Sequence, residues 1–272
     1  MTQPPVVLTI AGSDSGGGSG LQADLRTFAA QSVHGVCALT VVSSQNTKEF
    51  RSALPVPALD VRSQIEAILD DFEVKAVKTG LLYSQENIEL IGEMADANLF
   101  PSLIIDPVIV NRHGELLYES QTIELMRRRL IPKALVLTPN HLEAMHILGD
   151  EIKDDIEALS TAALRLTAMG PSVVVLTGGR RDSPSMVDVV ASNGKVSVLE
   201  VERCSTSNVR GTGDTFSAAI AAGIAKGTTA LESVKEAQVF TAAAVRRAAS
   251  WKLGSGEGPI DHLGPLNAVG LD

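Results

Sequence analysis

The stretch PVVLTIAGSDSGGGSGLQADL, Pro5 to Leu25, contains an apolar run rich in β-branched residues, then a glycine-rich segment, then the start of an amphipathic pattern. This order predicts a buried strand, a loop and a helix, the first half of a βαβ unit. Five glycines lie between Gly12 and Gly20. They allow close approach of the backbone to a ligand or closure of the loop over it, whereas a flexible surface loop is the alternative.

The same alternation continues along the chain. Further apolar runs predict strands at residues 35–44, 74–82, 102–110, 133–140 and 172–179, and helical patterns occupy residues 21–33, 58–72, 85–98, 154–170, 214–226 and 230–249. Strands that alternate with helices predict a mainly parallel central sheet with helices on both faces, a three-layer α/β sandwich. Asn193-Gly194, between two alternating runs in residues 186–202, predicts an antiparallel hairpin near one edge. Without a repeat or composition break, we expect a single domain over residues 1–272.

Composition excludes several classes of protein. The 272 residues are 44% hydrophobic but 3% aromatic, so the core should consist mainly of Val, Leu, Ile and Ala. The formal net charge of −9 argues against nonspecific nucleic-acid binding. The chain has no apolar stretch near the ~20 residues of a membrane span, and no basic segment before its first apolar run. Cys37 and Cys204 are far apart and indicate neither a zinc site nor a disulfide, so we expect a cytoplasmic protein.

Polar residues gather where the predicted strands end. In open α/β sheets, ligands bind at the carboxyl ends of the strands, so these residues are expected to converge on one crevice. They are Asp14, Gln45, Asn46, Lys78, Asp106, Asn140, Glu143, Thr177 and Asp214.

Common nucleotide-binding motifs do not account for the crevice. The segment Gly18 to Ala23, GSGLQA, formally matches the dinucleotide fingerprint GxGxxA, but no Asp or Glu follows between Leu25 and Lys48 to hold a ribose. The chain also has no GxxxxGK[ST] loop, no GxSxG elbow and no protein-kinase HRD/DFG set. A phosphate site would therefore have to lie in the later stretch GTGD, residues 211–214.

Asp214 starts an Ala-rich helical pattern. An acid in the first turn of a helix is a plain capping feature in one interpretation. In the other, the N–H groups of Gly211, Thr212 and Gly213 face a bound anion and Asp214 performs chemistry beside it.

Two further segments carry oxygen donors suited to Mg²⁺. Asp106 ends a buried strand, where either a magnesium ion with its water or the N–H groups of a turn would compensate its charge. Asn140 and Glu143 lie three residues apart on one helical face and suit Mg²⁺ and phosphate, whereas a capping box is the alternative. His141 and His146 have the wrong spacing for one zinc-binding face and are interpreted as structural or exposed residues.

In their order and spacing, several motifs together resemble the ribokinase-like superfamily, and within it the hydroxymethylpyrimidine/phosphomethylpyrimidine kinase family. They are AGSDSGGGSGLQADL, SSQNT, KTGLL, DPV, TPNHLEA, TGG and GTGDTFSAAIAAG. The resemblance extends from about Val6 to His262. GTGD alone would indicate the superfamily only, whereas the N-terminal motif with QNT is more particular to pyrimidine and pyridoxal kinases.

The resemblance implies transfer of the ATP γ-phosphoryl group to 4-amino-5-hydroxymethyl-2-methylpyrimidine and to its monophosphate in thiamine biosynthesis, with Mg²⁺ and with a monovalent cation as a further candidate. It implies a homodimer, and the composition leads us to expect binding to neither nucleic acid nor membranes. In the implied site, Asp214 accepts the hydroxyl proton and the amides of Gly211, Thr212 and Gly213 hold developing phosphoryl charge. The implied substrate-binding residues are Gln45, Asp24, Gly12, Gly20, Leu81 and Val108; Asn140, Thr177, Gly179, Arg210 and Gly213 bind the nucleotide, and Glu143 and Asp106 serve the metal.

The chain departs from many such kinases at four positions. Many of those kinases carry Cys in place of Asp214, His in place of Arg210, Lys in place of Thr177 and Met in place of Leu81. Aspartate is the general base of the superfamily, so the departures bear on the substrate more than on the reaction. A pyridoxal, pyridoxine or pyridoxamine kinase is therefore the alternative, and a noncatalytic vitamin-binding or regulatory protein is a rival of another class.

Overall fold

A computed structural model of the chain describes residues 3–179 and 183–264. Two compact units make up the chain: Met1–Leu82 with Cys204–Asp272, and Tyr83–Arg203. The strands are β1 Val6–Asp14, β2 His34–Gln45, β3 Phe50–Pro55, β4 Val74–Thr79, β5 Leu103–Ile105, β6 Val136–Leu137, β7 Val173–Gly179, β8 Ser185–Ser192 and β9 Lys195–Glu202. The helices are α1 Gly20–Ala30, α2 Ala58–Leu69, α3 Gln85–Asp96, α4 Ser120–Arg129, α5 His141–Leu148, α6 Ile156–Thr167, α7 Thr212–Ala225 and α8 Ala230–Ala248.

The first unit is built on four strands in the order β3-β2-β1-β4. β1 pairs in parallel with β2 and β4, and β3 pairs antiparallel with β2 and forms an edge. Eight of the nine residues of β1 are buried, as a parallel strand covered on both faces requires. The predicted helix that follows the glycine-rich segment is α1, which packs Leu21, Ala23 and Phe28 inward.

Small residues bring α7 and α8 close together in this unit. α7 is buried continuously from Thr215 to Gly223. A Cβ atom on Gly223 would lie 2.6 Å from Ser233 Oγ, so α8 approaches α7 more closely there than a side chain would allow. The Ala-rich composition of α7 thus reflects its position in the core.

The second unit contains β5, β6 and β7, which are parallel, followed by the antiparallel strands β8 and β9. Asn193 and Gly194 join β8 to β9 with φ angles of 50° and 70°, as a type I′ turn requires. β9 pairs with β8 at the edge of this group of strands. The predicted hairpin is confirmed.

Several expected boundaries were wrong for identifiable reasons. The strand expected over residues 102–110 covers Leu103–Ile105, and the one expected over 133–140 covers Val136–Leu137. Pro107 and Pro139 follow these strands and lack the N–H group that would continue a ladder. β3 and α4 were not predicted, because β3 is almost entirely exposed and α4 carries few apolar residues. The expectation of a single domain stays a prediction.

Among the described residues, no helix combines the length and apolarity needed to cross a membrane. Cys37 and Cys204 are both free thiols.

Gly20 and Gly194 offer a matched test of backbone packing, because both have positive φ, 58° and 70°. A Cβ atom at Gly20 would lie 2.3 Å from the Gly12 carbonyl oxygen, whereas at Gly194 it would meet no atom within 4 Å. Both Ala variants should lose about 1 kcal/mol from the left-handed backbone, and Gly20→Ala about 2 kcal/mol more from the clash. Urea unfolding measures the difference; equal losses would contradict the packing described.

Candidate active site

The carboxylate of Asp14, at the end of β1, organises the glycine-rich loop. Its Oδ1 atom accepts the N–H of Gly16 at 2.8 Å, and its Oδ2 atom accepts the N–H groups of Gly18 and Ser19 at 3.1 and 3.0 Å. The hydroxyl of Ser19 donates to the same Oδ2 atom at 2.8 Å. Since Asp14 is 1% exposed, the loop is closed around a buried charge.

Arg210, which precedes α7, completes this arrangement. Its Nε and Nη2 atoms both lie 2.9 Å from Asp14 Oδ2, and its side chain is 8% exposed. Burial disfavours the charged carboxylate, but Arg210 and the surrounding donors outweigh burial and hold the pKa of Asp14 below its ordinary value. The structure therefore gives Arg210 a partner that the sequence did not reveal, since the two residues are 196 positions apart.

Close packing explains the predicted glycines of this loop. A Cβ atom on Gly12 would lie 2.6 Å from Val41 Cγ1. Gly211, at φ 82°, has room for a hydrogen only, because a Cβ atom would lie 2.0 Å from the Gly18 carbonyl oxygen. These contacts bring the glycine-rich loop against the start of α7 and account for Gly12, Gly20 and Gly211 without a ligand.

Asp214 lies in the first turn of α7, and Gly211 is the N-cap residue. The side chain of Asp214 is 18% exposed, so its carboxylate is accessible to a ligand but partly enclosed. The N–H group of Thr212 donates to the Val209 carbonyl at 3.2 Å. Gly213 and Asp214 lie in the same first turn, where N–H groups lack carbonyl partners within the helix. The position therefore combines a carboxylate with the positive end of a helix dipole.

A buried ion pair lies behind Asp214. Lys78 of β4 is fully buried, and its Nζ atom lies 2.9 Å from both carboxylate oxygens of Asp24 and 3.4 Å from Asp214 Oδ1. Thr9 donates its hydroxyl to Asp24 Oδ2 at 2.6 Å. Burial raises the pKa of Asp24 to about 7, against the lowering effect of Lys78 and with a further increase from the charge of Asp214. The sequence marked Lys78 as a strand-end residue and did not indicate this role.

Three predicted substrate residues surround the same end of the first unit. Gln45 ends β2 half-buried, and its Nε2 atom donates to Ser43 Oγ at 3.0 Å. Leu81 is half-buried, and its backbone carbonyl accepts the hydroxyl of Thr40 at 2.6 Å. Leu81 also lies near Gly12. Asp24, in contrast, has no exposed surface.

His262, which was not singled out from the sequence, is buried in the first unit. Its Nε2 atom has no hydrogen-bond partner among the described residues. Burial lowers the pKa of His262 to about 4, the charge of Arg26 lowers it further, and Asp214 and Asp261 act in the opposite direction. His262 is therefore a neutral side chain near Asp214 at neutral pH.

In the second unit, Asn140 and Glu143 form the capping box that was the alternative to a metal site. Asn140 Oδ1 accepts the N–H of Glu143 at 3.0 Å, and Glu143 Oε2 accepts the N–H of Asn140 at 2.9 Å. Glu143 Oε1 accepts the N–H of Ile109 at 3.0 Å. The capping box is thus confirmed, and the part that these two residues play with metal and nucleotide stays a prediction.

The neighbouring loop is strained. Asp106 is 7% exposed, and Val108, two residues later, has a φ angle of 40°, which is unusual for a β-branched residue. Strain of this kind is typical of functional sites. Since Glu143 holds the N–H of Ile109, the capping box and the Asp106–Val108 segment are joined.

Thr177 also lies beside the capping box. Its N–H donates to the Pro139 carbonyl at 2.9 Å, and it forms a parallel bridge with Asn140. Gly179 packs closely, since a Cβ atom there would lie 2.6 Å from Leu159 Cδ1. His141 contacts the Ile152 carbonyl through Nε2 at 2.7 Å and His146 is exposed, which confirms their interpretation as structural and exposed residues.

A cleft of about 340 Å³ opens next to Asn140 within the second unit. It offers guanidinium, imidazole and amide donors to a ligand. Its lining consists of Val110, Asn111, Arg112, His113, Gly114, Asn140 and Leu142. Among the residues that the structure describes, no group of three His, Cys, Asp or Glu side chains is placed to hold a metal ion by itself.

The burial of His262 predicts a pH dependence of stability. Its pKa of about 4 lies below the ordinary 6.5, so the folded state binds fewer protons in this interval. The free energy of unfolding does not depend on this group above pH 6.5 and falls as the pH drops toward 4, because the unfolded chain takes up a proton on His262 that the folded state does not. Thermal or urea unfolding of His262→Gln should therefore show a slope shallower by up to about 1.4 kcal/mol per pH unit.

The raised pKa of Asp24 makes the free energy of unfolding fall with rising pH over this interval, but both proteins contain Asp24, so this effect cancels in the comparison. The exposed His146→Gln variant is the matched control and should keep the original slope. An unchanged slope in His262→Gln would contradict a neutral, buried His262.

Known proteins resemble this chain over almost its whole length. A family model described as phosphomethylpyrimidine kinase matches residues 14–261. The hydroxymethylpyrimidine/phosphomethylpyrimidine kinase of Streptomyces coelicolor is 39% identical over 259 residues, which covers 95% of this chain and 94% of the relative. The corresponding kinase of Synechococcus elongatus is 40% identical and covers 96% of this chain and 98% of its own.

Solved structures share the fold. Bacillus subtilis pyridoxal kinase, determined as an ADP complex, superimposes with a TM-score of 0.89 at 36% identity, covering 96% of this chain and 98% of the other. Phosphomethylpyrimidine kinase from Clostridium difficile gives a TM-score of 0.79 at 32% identity, covering 89% and 99%. The expected ribokinase-like α/β fold is confirmed, and the chain belongs to the phosphomethylpyrimidine kinase family of ATP-dependent small-molecule kinases.

Proposed function

We propose that this kinase transfers the γ-phosphoryl group of ATP to 4-amino-5-hydroxymethyl-2-methylpyrimidine and then to the resulting monophosphate in thiamine biosynthesis. The observation that carries the proposal is Asp214, a partly exposed carboxylate in the first turn of α7. The full-length relatives named hydroxymethylpyrimidine/phosphomethylpyrimidine kinase supply the substrate class.

Asp214 accepts the proton of the attacking primary alcohol in this mechanism. A carboxylate is a weak base for an alcohol, so the proton moves late, as the new P–O bond forms and the alcohol becomes acidic. The N–H groups of Gly211, Thr212 and Gly213 face the charge that develops on the phosphoryl oxygens. The hydrogen bond from Thr212 to Val209 is long, at 3.2 Å, which leaves this amide available to reorient toward a stronger acceptor. Positioning and electrostatics thus carry the reaction.

Asp106 and Glu143 have the hard carboxylate oxygens that suit Mg²⁺, and we assign the metal to them. Each Glu143 oxygen accepts one backbone N–H, which fixes the direction of the carboxylate. Magnesium would supply charge neutralisation at the phosphates. Asn140, Thr177, Gly179 and Gly213 are the proposed nucleotide-binding residues, and a monovalent cation is a further candidate cofactor.

Arg210 acts on the proposed site through its ion pair with Asp14 in the glycine-rich loop. Its guanidinium is paired with Asp14, so it supports the glycine-rich loop and the start of α7 from within. We propose that this pair loosens toward the nucleotide when phosphate oxygens compete with Asp14 for the guanidinium, which is the phosphate role expected from the sequence.

Gln45 is the residue that we propose recognises the aminopyrimidine ring. Its side-chain carbonyl accepts from the 4-amino group, while its Nε2 atom is oriented by Ser43. Leu81 supplies an apolar wall beside Gly12, and Gly20 shapes the same loop. Val108 stays a further proposed substrate-binding residue. Asp24 is enclosed by Lys78 and Thr9, so its influence on the substrate passes through Lys78.

A pyridoxal kinase is the second candidate, because the pyridoxal kinase of Staphylococcus aureus in complex with ADP superimposes with a TM-score of 0.90 at 32% identity and covers 98% of this chain. A hydroxymethyl group on a pyridine presents the same reacting alcohol.

We also propose a homodimer and a cytoplasmic location. Phe50 and Leu54 of the edge strand β3 are 60% and 68% exposed, and exposed apolar groups on a sheet edge favour association with another copy. The free thiols of Cys37 and Cys204 suit a reducing compartment.

Initial rates on the two alcohols test the substrate. With Mg-ATP, we expect kcat/KM for the hydroxymethylpyrimidine to exceed that for pyridoxal by about tenfold or more, since the amide of Gln45 can pair with the amino group. ADP release coupled to a spectroscopic assay measures both rates. Faster turnover of pyridoxal would reverse the assignment, and binding of the pyrimidine without ADP formation would favour the noncatalytic rival.

Asp214→Asn tests the base. Loss of proton acceptance should lower kcat by about 100-fold to 10,000-fold, with nucleotide binding retained. Asp60→Asn is the matched control, because Asp60 also occupies the first turn of a helix, α2, and is exposed. Full turnover by Asp214→Asn would remove Asp214 from this role.

A further inference from the structure

Lys78 and Thr9 approach one carboxylate from two adjacent strands. The two residues are direct neighbours in the register of β1 and β4. Thr9 donates to Asp24 Oδ2 at 2.6 Å, and the Lys78 ammonium lies 2.9 Å from both oxygens of the same group. Asp24 and Lys78 are both completely buried. The ammonium is therefore anchored from two strands and one helix at a fixed depth in the core.

The same ammonium reaches a second carboxylate. Lys78 Nζ lies 3.4 Å from Asp214 Oδ1, and Asp214 is 18% exposed. Asp24 faces the ammonium with both oxygens at 2.9 Å, so Asp24 anchors Lys78 and the contact with Asp214 is the longer of the two. This contact places a rigid cation behind the side of Asp214 that is turned away from solvent.

Gly80 supports this placement. A Cβ atom on Gly80 would lie 3.0 Å from Lys78 Nζ and 3.0 Å from Ala11 Cβ. A larger residue at position 80 would press on the ammonium, so the chain keeps open the space that Lys78 occupies.

We propose that Lys78, held by Asp24 and Thr9, is a positioning residue that fixes the carboxylate of Asp214 for proton acceptance. The proposal rests on the proposed function of Asp214 as the base. Lys78 cannot touch substrate, because it has no exposed surface. When Asp214 takes a proton, Lys78 remains paired with Asp24, so no buried charge is left without a partner.

Lys78→Met tests the proposal, since methionine keeps the length of the side chain without the charge. We expect kcat to fall about tenfold or more, with KM for the hydroxymethylpyrimidine changed less than about twofold. An unchanged kcat in Lys78→Met, or a loss that appears in KM rather than in kcat, would overturn the proposal.

Lys75→Met is the matched control. Lys75 lies on the same strand β4, but its side chain is 45% exposed and pairs with Glu73. It should leave kcat and KM as in the unmodified protein.

A double-mutant cycle separates this proposal from the proposed function. Asp214→Asn by itself tests the base, and full turnover there would refute the proposed role of Asp214. If Asp214→Asn does lower kcat, Lys78→Met should cause little further loss in that background, because it acts through Asp214. An equal tenfold loss in both backgrounds would overturn the positioning role while leaving Asp214 as the base.

If Lys78→Met does not fold, the double variant Lys78→Met/Asp24→Asn removes both buried charges together, a change that proteins tolerate better. Its kcat should be lower than that of Asp24→Asn, because only the double variant lacks the ammonium beside Asp214. An identical kcat in these two proteins would overturn the proposal.

Discussion

The buried carboxylate of Asp14 is the constraint on which the candidate site depends. A carboxylate with 1% exposure is costly to bury unless donors compensate it. Here the donors are the backbone of the glycine-rich loop and the guanidinium of Arg210. One charge thus closes the loop that follows β1 and joins it to the residue just before α7. The proposed catalytic end of α7 is held in place by the first strand of the chain.

A second carboxylate, Asp24, lies on α1 directly after the same loop. The loop therefore has a buried acid on each side. Asp14 forms an ion pair with Arg210, and Asp24 forms an ion pair with Lys78. Arg210 precedes Asp214 in the chain, and Lys78 contacts Asp214 from β4. The two ion pairs constrain Asp214 through the backbone and through the side chain. This arrangement explains why a loop rich in glycine can nevertheless be well defined.

Local patterns predicted much of the architecture. The alternation of apolar runs and amphipathic segments indicated the strands and most of the helices, and Asn193-Gly194 indicated the hairpin, because these signals lie within a few neighbouring residues. β3 escaped detection since an exposed edge strand lacks an apolar period. The short β5 and β6 show that a proline just beyond a strand shortens the ladder more than its apolar run suggests.

The site was predicted less completely, for a related reason. Asp214 and Glu143 stand in local motifs, so the sequence pointed to them. The partners that give these residues their environment are distant: Lys78 is 136 positions from Asp214, and Ile109 is 34 positions from Glu143. A capping box and a metal-binding motif share the same spacing, and the fold shows that the capping box forms. Contacts between residues this far apart in the chain depend on the order of the strands in the sheet, so local sequence patterns do not indicate them.

The most direct measurement is a crystal structure of the chain with hydroxymethylpyrimidine, Mg²⁺ and a nonhydrolysable ATP analogue. We expect the hydroxymethyl oxygen to lie about 2.6–3.2 Å from a carboxylate oxygen of Asp214. Lys78 should remain in contact with that same carboxylate. A hydroxymethyl group hydrogen-bonded to a different side chain, with Asp214 turned away from the substrate, would show that Asp214 is not the base.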